Sequence, residues 1–315
     1  MKTVILDKKT LGDDIDLSPI RSISDTVEYD GTTAEQVAQR IADADVVVIN
    51  KIKLNESNLS GAKNLKLICI AATGYDNIDT QYCENNGIAF CNVPGYSTDS
   101  VAQLSVSMVL SLATNLTSYR KFVHSGEYTK SGVANKLTPV YHEISGRKWG
   151  VVGGGGIGSK VAQIASAIGA DVVVCRRKNE GDYPLCDIDT LCKTCDIISL
   201  HVPLSDSTRG LISRERIEGM KDGVIIVNTA RGAVCDEASL ADAVLSGKIG
   251  GLGVDVYSKE PFDESHPFNK ILDCDNVLLT PHMAWGSYEA RNRCIKEIAQ
   301  NMSSFFKGER RNRIV

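Results

Sequence analysis

"WGVVGGGGIGSKVAQIASAIGADVVVCRR", Trp149 to Arg177, decides the fold. A strand-like apolar run enters a cluster of glycines, a helix-like run leaves it, and "ADVVVC" follows as a second strand. Such a β-α-β unit belongs to a parallel sheet. Gly153, Gly155 and Gly158 have the spacing G-x-G-x-x-G. In this context Gly153 permits a tight turn, Gly155 lets the backbone approach a pyrophosphate, and Gly158 lets helix and strand pack closely. The helix N-terminus adds free N–H groups and partial positive charge for phosphates. The turn therefore predicts a dinucleotide site.

Outward from this unit the same alternation recurs. "TVILD", "ADVVVIN", "LKLICIAATG" and "IAFCNVPG" read as strands before it, with "TAEQVAQRIAD" and "TQYCENNG" as helices between them. "CDIISLHVPL", "GVIIVNTA", "IGGLGVDVY" and "NVLLTPH" continue the series after it. Strands apolar throughout imply sheets covered on both faces. "STDSVAQLSVSMVLSLATNLTSYRKF" reads as one long helix, joining two domains or forming a subunit contact, and "SYEARNRCIKEIAQNMSSFFKG" as a last helix. The fold class is α/β.

With 315 residues, 43% of them hydrophobic, the chain is long enough for two domains. A net charge of −4 gives no global basic field, so no nucleic-acid partner is expected. No apolar run has membrane-span length, and "MKTVILDKKT" lacks a signal peptide's apolar core, so the expectation is a cytoplasmic protein with no membrane partner. Ten cysteines are then expected as free thiols. Cys192 and Cys195 have CxxC spacing, but no second pair and no paired histidines accompany them. The pair reads as incidental, and no metal site is expected.

Downstream of the glycine turn, three strand ends carry chemistry. Arg231 follows "GVIIVNTA", Asp255 and Glu260 follow "GLGVDV", and His282 follows "NVLLTP". Ligands of doubly wound sheets bind beyond the carboxyl ends of strands. A carboxylate beside an imidazole orients it and favours its protonated form, which can deliver a proton to a carbonyl oxygen. An arginine there suits a substrate carboxylate.

These residues resemble the D-isomer-specific 2-hydroxyacid dehydrogenases over nearly the whole chain. "NTARGAVCDEASLADAVLSGKIGGLGVDVYSKEP", "LLTPHMAW" and the Gly153 turn carry the likeness, with "AATGYDNID" and "NVPGYSTDSVAQ" adding to it. Within the family the chain looks most like glycerate dehydrogenases, also called hydroxypyruvate reductases, through "TLGDDIDLSPI", "YSTDSVAQ" and "AWGSYEAR".

The resemblance implies two Rossmann-like, doubly wound domains with parallel sheets. The substrate domain would be discontinuous, residues 1–98 plus 287–315, and the dinucleotide-binding domain would span 99–286. It implies Arg231, Glu260 and His282 as catalytic residues. Cofactor contacts would come from Gly153, Gly155, Gly156, Ile157, Gly158, Val202, Pro203, Thr208, Thr229 and Ala230, with Asp255 at the nicotinamide end. Substrate contacts would come from Asn50, Thr73, Gly74, Arg231 and His282. A homodimer is implied, joined partly through the long helix, with no added regulatory domain. The expected reaction is reduction of a small 2-oxo acid, such as hydroxypyruvate or glyoxylate, to the D-2-hydroxy acid. The alternatives are a dehydrogenase for a bulkier branched or aromatic acid, and a non-catalytic dinucleotide-sensing protein of the corepressor kind.

Two departures from the family pattern stand out. Gln103 occupies a position where many members have glutamate, and "SGVANKLTPVYHEISG" lacks the expected tryptophans. The acidic residue expected about 20 residues after the glycine turn is also missing. Cys175, Arg176 and Arg177 stand there, followed by Lys178, with Glu180 the nearest acid. A carboxylate would repel a ribose 2′-phosphate, whereas a guanidinium pairs with it. Arg176 and Arg177 therefore point to NADP as preferred cofactor, with NAD possible.

Overall fold

The computed structural model describes residues 1–177 and 181–315. The chain divides into two compact units, residues 1–97 with 285–315, and residues 98–284.

The first unit begins with β1 (Lys2–Ile5), α1 (Ser18–Arg21), β2 (Asp25–Glu28), α2 (Ala34–Ile41) and β3 (Val46–Ile49). It continues with α3 (Glu56–Leu59), β4 (Leu67–Ile70), α4 (Thr80–Asn85) and β5 (Ala89–Cys91). The second unit opens with α5 (Thr98–Ala113), α6 (Leu116–His124), α7 (Glu127–Ser131), β6 (Lys148–Val152) and α8 (Gly156–Ala167). Next come β7 (Asp171–Cys175), α9 (Ile188–Thr194), β8 (Ile197–Leu200), α10 (Arg214–Gly219) and β9 (Val224–Asn228). It closes with α11 (Glu237–Leu245), β10 (Ile249–Val254) and β11 (Val277–Leu279), after which α12 (Tyr288–Phe306) returns the chain to the first unit.

The first unit holds a five-stranded sheet in the order β2-β1-β3-β4-β5, every pair parallel. Alternate residues of β3 face opposite sides. Val46 and Val48 join a core that includes Ala290, Ile295 and Ile298 of α12, and Val47 and Ile49 join one that includes Val37 and Ile41 of α2. Both sides are covered, which is why the strand is apolar at every position. The strand order reverses between β1 and β3.

The second unit holds a six-stranded parallel sheet in the order β11-β10-β9-β8-β6-β7. Trp149 and Val151 of β6 pack with Ala102 and Val109 of α5 and Val161 and Ala165 of α8. Val152 faces the other layer, with Leu191 and Leu240. Here the order reverses between β6 and β8. Two such parallel, doubly wound sheets are the architecture expected from the sequence.

The long helix is corrected by the structure. It breaks at Asn115, which takes a left-handed conformation (φ 51°), and α5 and α6 meet at a 65° bend. Asparagine is among the few residues that tolerate this region. Apolar α5 is buried against α8, β9 and β10 of its own unit, whereas α6 has no buried residue. Among the described residues no single helix is long and apolar enough to cross a membrane.

Candidate active site

The glycine turn leaves β6 where the strand order reverses, the place where open α/β sheets form a ligand crevice. Gly153 has φ 107°, and a Cβ there would lie 2.5 Å from the carbonyl oxygen of His201, at the end of neighbouring β8. A Cβ on Gly158 would lie 1.9 Å from the carbonyl oxygen of Gly153. Neither position accepts a side chain. Gly155 is the N-cap of α8, and among the described residues no side chain caps this helix and none comes within 4 Å of where a Cβ on Gly155 would stand. The first-turn N–H groups are therefore left for another acceptor. Both ring nitrogens of His201 are buried and have no hydrogen-bond partner among the described residues. Burial drives its pKa down to about 3, so the ring is neutral, with one donor and one acceptor. Uncapped donors and open space at the start of α8 fit a dinucleotide pyrophosphate.

Around this turn the other predicted cofactor residues take definite places. Gly156 and Ile157 begin α8. Val202 lies beside Gly153, its Cγ1 3.1 Å from where a Cβ would stand. The Thr208 hydroxyl donates to Pro203 O (2.6 Å) and accepts from Ser205 N (2.8 Å), closing the loop after β8. Thr229 pairs with Ser105 through their hydroxyls (2.9 Å), and Ala230 is buried. Arg176 packs its aliphatic stem over Gly154, and its Nη2 donates to Gly181 O (3.3 Å) and Tyr183 O (3.1 Å). Arg177 is exposed. Lys178 and Glu180, also considered from sequence, lie outside the described residues.

The strand ends of β9, β10 and β11 carry the remaining chemistry. Arg231 follows β9; its carbonyl accepts from Asn228 Nδ2 (3.0 Å), and its Nη1 donates to Ala230 O (2.8 Å). Glu260 lies within the loop after β10, where its Oε1 accepts from Tyr257 N (2.9 Å). Its Oε2 lies 2.7 Å from Nδ1 of His282, which has φ 52°. Asp255 is fully buried. Its carboxylate accepts from the Thr280 hydroxyl (2.6 Å), Met283 N (2.8 Å) and Ala284 N (2.9 Å), so it organises the loop that carries His282.

Residues 106–284 match the family described as D-isomer specific 2-hydroxyacid dehydrogenase, NAD binding domain. The chain is 32% identical to a hydroxypyruvate reductase of Blautia hydrogenotrophica, over 98% of each chain. The chain belongs to the D-isomer specific 2-hydroxyacid dehydrogenases. A glycerate dehydrogenase of Methylorubrum extorquens is also 32% identical, over 99% of this chain and 98% of that one. The crystal structure of a D-lactate dehydrogenase from Aquifex aeolicus, complexed with NAD and lactic acid, superposes with a TM-score of 0.85. It is 30% identical and covers 98% of this chain and 96% of that one. This 2-hydroxyacid dehydrogenase is accordingly an NAD(P)-dependent oxidoreductase with a nicotinamide dinucleotide as cofactor.

The other unit of this dehydrogenase carries Asn50, Thr73 and Gly74. Asn50 follows β3, beside the reversal of strand order, and donates through Nδ2 to Ala71 O (3.2 Å). The Thr73 hydroxyl donates to Val93 O (2.8 Å) and leads into Gly74. Sequence reasoning missed Asp7, at the end of neighbouring β1. Its carboxylate accepts from the backbone N–H groups of Asn50 (2.9 Å), Lys51 (2.6 Å) and Ile52 (3.2 Å). Burial pushes its pKa up, against the downward pull of those N–H groups. An acid directly after the apolar run Val4 to Leu6 was the available clue. His201 was missed too, although it opens the quoted "HVPL".

Cys192 and Cys195 are buried at the end of α9, and burial pushes their thiols up to about 12 and about 11. Among the described residues no group of three His, Cys, Asp or Glu side chains is placed to hold a metal ion.

Proposed function

We propose that this dehydrogenase reduces a small 2-oxo acid of the hydroxypyruvate or glyoxylate type to the D-2-hydroxy acid. The observation that carries the reading is the 2.7 Å contact between Glu260 and His282 at neighbouring strand ends of the dinucleotide-binding fold. Bound NAD(P)H supplies the hydride. Arg231 holds the substrate carboxylate with a bidentate guanidinium and helps polarise the carbonyl. Glu260 occupies Nδ1 of His282, so proton delivery to the carbonyl oxygen falls to Nε2. Asn50, Thr73 and Gly74 complete the substrate site, residues 1–98 with 287–315 forming the substrate domain. Asp255 serves the nicotinamide end by holding the loop of His282.

The cofactor is NADPH in preference to NADH. This is supported by Arg176 and Arg177, which stand where a ribose-binding acid is usual, and by the position of Arg176 against the glycine turn. The protein acts as a homodimer. Support comes from apolar side chains left exposed on α6 and the segment after α7, Leu116, Val123, Leu137 (73%) and Val140 (68%) among them. Light scattering tests the dimer.

The experiment for the reaction is steady-state kinetics on hydroxypyruvate, glyoxylate, pyruvate and phenylpyruvate with each cofactor. The expected order places hydroxypyruvate or glyoxylate first. Far higher efficiency on phenylpyruvate overturns the substrate assignment.

A further inference from the structure

Behind the Glu260–His282 contact lies a second carboxylate–imidazole pair. Glu237 is the first residue of α11, and its side chain is 9% exposed; that of His266 is 6% exposed. Glu237 Oε1 accepts from Ser258 N (2.9 Å), and Oε2 accepts from the Ser258 hydroxyl and lies 3.1 Å from His266 Nε2. Phe268 N donates to His266 Nδ1 (3.3 Å), so the ring hydrogen sits on Nε2 and is donated to Glu237. A buried carboxylate with matched donors on both oxygens strongly holds whatever it is bonded to, because breaking any partner leaves a desolvated charge.

What it holds is the Tyr257–Ser258 peptide, and the active-site segments converge there. A Cβ on Gly232 would lie 2.1 Å from both Ser258 N and Tyr257 C, so the peptide is seated directly on the residue after Arg231. Tyr257 N donates to the Glu260 carboxylate, and the Tyr257 hydroxyl donates to Thr280 O (2.9 Å), two residues before His282. Tyr257 and Ser258 together thus touch the segments bearing Arg231, Glu260 and His282.

We propose that Glu237 is a positioning residue for the reaction: through Ser258 it fixes the Tyr257–Ser258 peptide, so that Glu260 meets His282 and Arg231 keeps its place beside them. His266 holds the carboxylate in turn. The inference rests on the acid–base role given above to Glu260 and His282. A helix-end anchor with no bearing on chemistry would lower stability and leave the action of Glu260 untouched; a positioning residue acts through Glu260 and is non-additive with it.

The test is a double-mutant cycle on kcat/KM for hydroxypyruvate, with the dinucleotide dissociation constant and Tm measured on each protein. Glu237→Gln keeps an acceptor for Ser258 N but turns an amide donor toward His266 Nε2. It is expected to lower kcat/KM about tenfold or more, with dinucleotide affinity unchanged. In a Glu260→Gln background the same substitution is expected to cost less than about twofold. Ser258→Ala, run through the same cycle, decides the matter if Glu237→Gln does not fold. Equal losses in both backgrounds, or no loss in either, overturn the inference. Full activity of Glu260→Gln alone overturns the acid–base reading on which it rests.

Discussion

Nδ1 of His282 lies 2.7 Å from Oε2 of Glu260, and His282 makes this contact from a left-handed backbone with φ 52°. A non-glycine residue held there costs about 1–3 kcal/mol and persists only where its surroundings impose it. The surroundings are visible. The Asp255 carboxylate binds Thr280 before the histidine and Met283 and Ala284 after it. Replacing Glu260 by Gln should keep the size of the side chain and remove the charge beside Nδ1. Turnover is expected to fall by roughly 10²-fold with dinucleotide affinity unchanged, measured by steady-state kinetics and NADPH titration. Wild-type turnover would remove Glu260 from the chemistry.

Asp255 is expected to hold the His282 loop rather than only to support the core. In Asp255→Asn an amide donor faces a backbone N–H, at a cost of about 1–3 kcal/mol. Tm should drop by several degrees and kcat should fall with it, because the loop is released. An unchanged melting curve and unchanged kcat would show that the carboxylate holds nothing of consequence.

Arg176 stands against the glycine turn and is anchored on Gly181 and Tyr183. Arg176→Asp should weaken NADPH about tenfold more than NADH, because the 2′-phosphate would meet a carboxylate. Titration of each cofactor by fluorescence separates the two. Equal weakening of both would leave the arginine as an anchor for the loop, with no part in cofactor choice.

The CxxC pair should be inert. With pKa values near 12 for Cys192 and 11 for Cys195, the reactive thiolate fraction at pH 8 is at most about one part in 10³. Mass spectrometry after alkylation at pH 8 should find these thiols unmodified in the native protein. The more exposed Cys186 and Cys274 should react first. Labelling of the pair should rise with pH toward its pKa values, or on unfolding. Rapid labelling at pH 8, or a disulfide between the two in native protein, would contradict this.

Much of the fold was legible because apolar strands and a glycine turn are local patterns. "VVVI" at Val46–Ile49 is buried at every position and can only be a covered strand. Edge strand β2 was missed because "DTVE" lies exposed or half-buried throughout, with no alternation to read. The break at Asn115 was missed because the apolar pattern runs through it, and a single left-handed asparagine leaves no periodic trace. For the candidate site, the sequence singles out Arg231, Glu260 and His282 but not the contacts that hold them. Glu237 meets Ser258 across 21 residues and Asp7 meets Asn50 across 43, contacts set by strand order rather than by neighbouring sequence.

In the proposed reaction His282 protonates the substrate carbonyl oxygen as NAD(P)H delivers the hydride. The most direct test of this step is hydroxypyruvate-dependent NADPH oxidation by wild type and His282→Ala, with NADPH binding titrated on the same samples. The wild type is expected to turn over, the variant to lose about 10²- to 10⁴-fold, and both to bind NADPH equally. Full activity in the variant, or no oxidation by the wild type with any 2-oxo acid, would contradict this step.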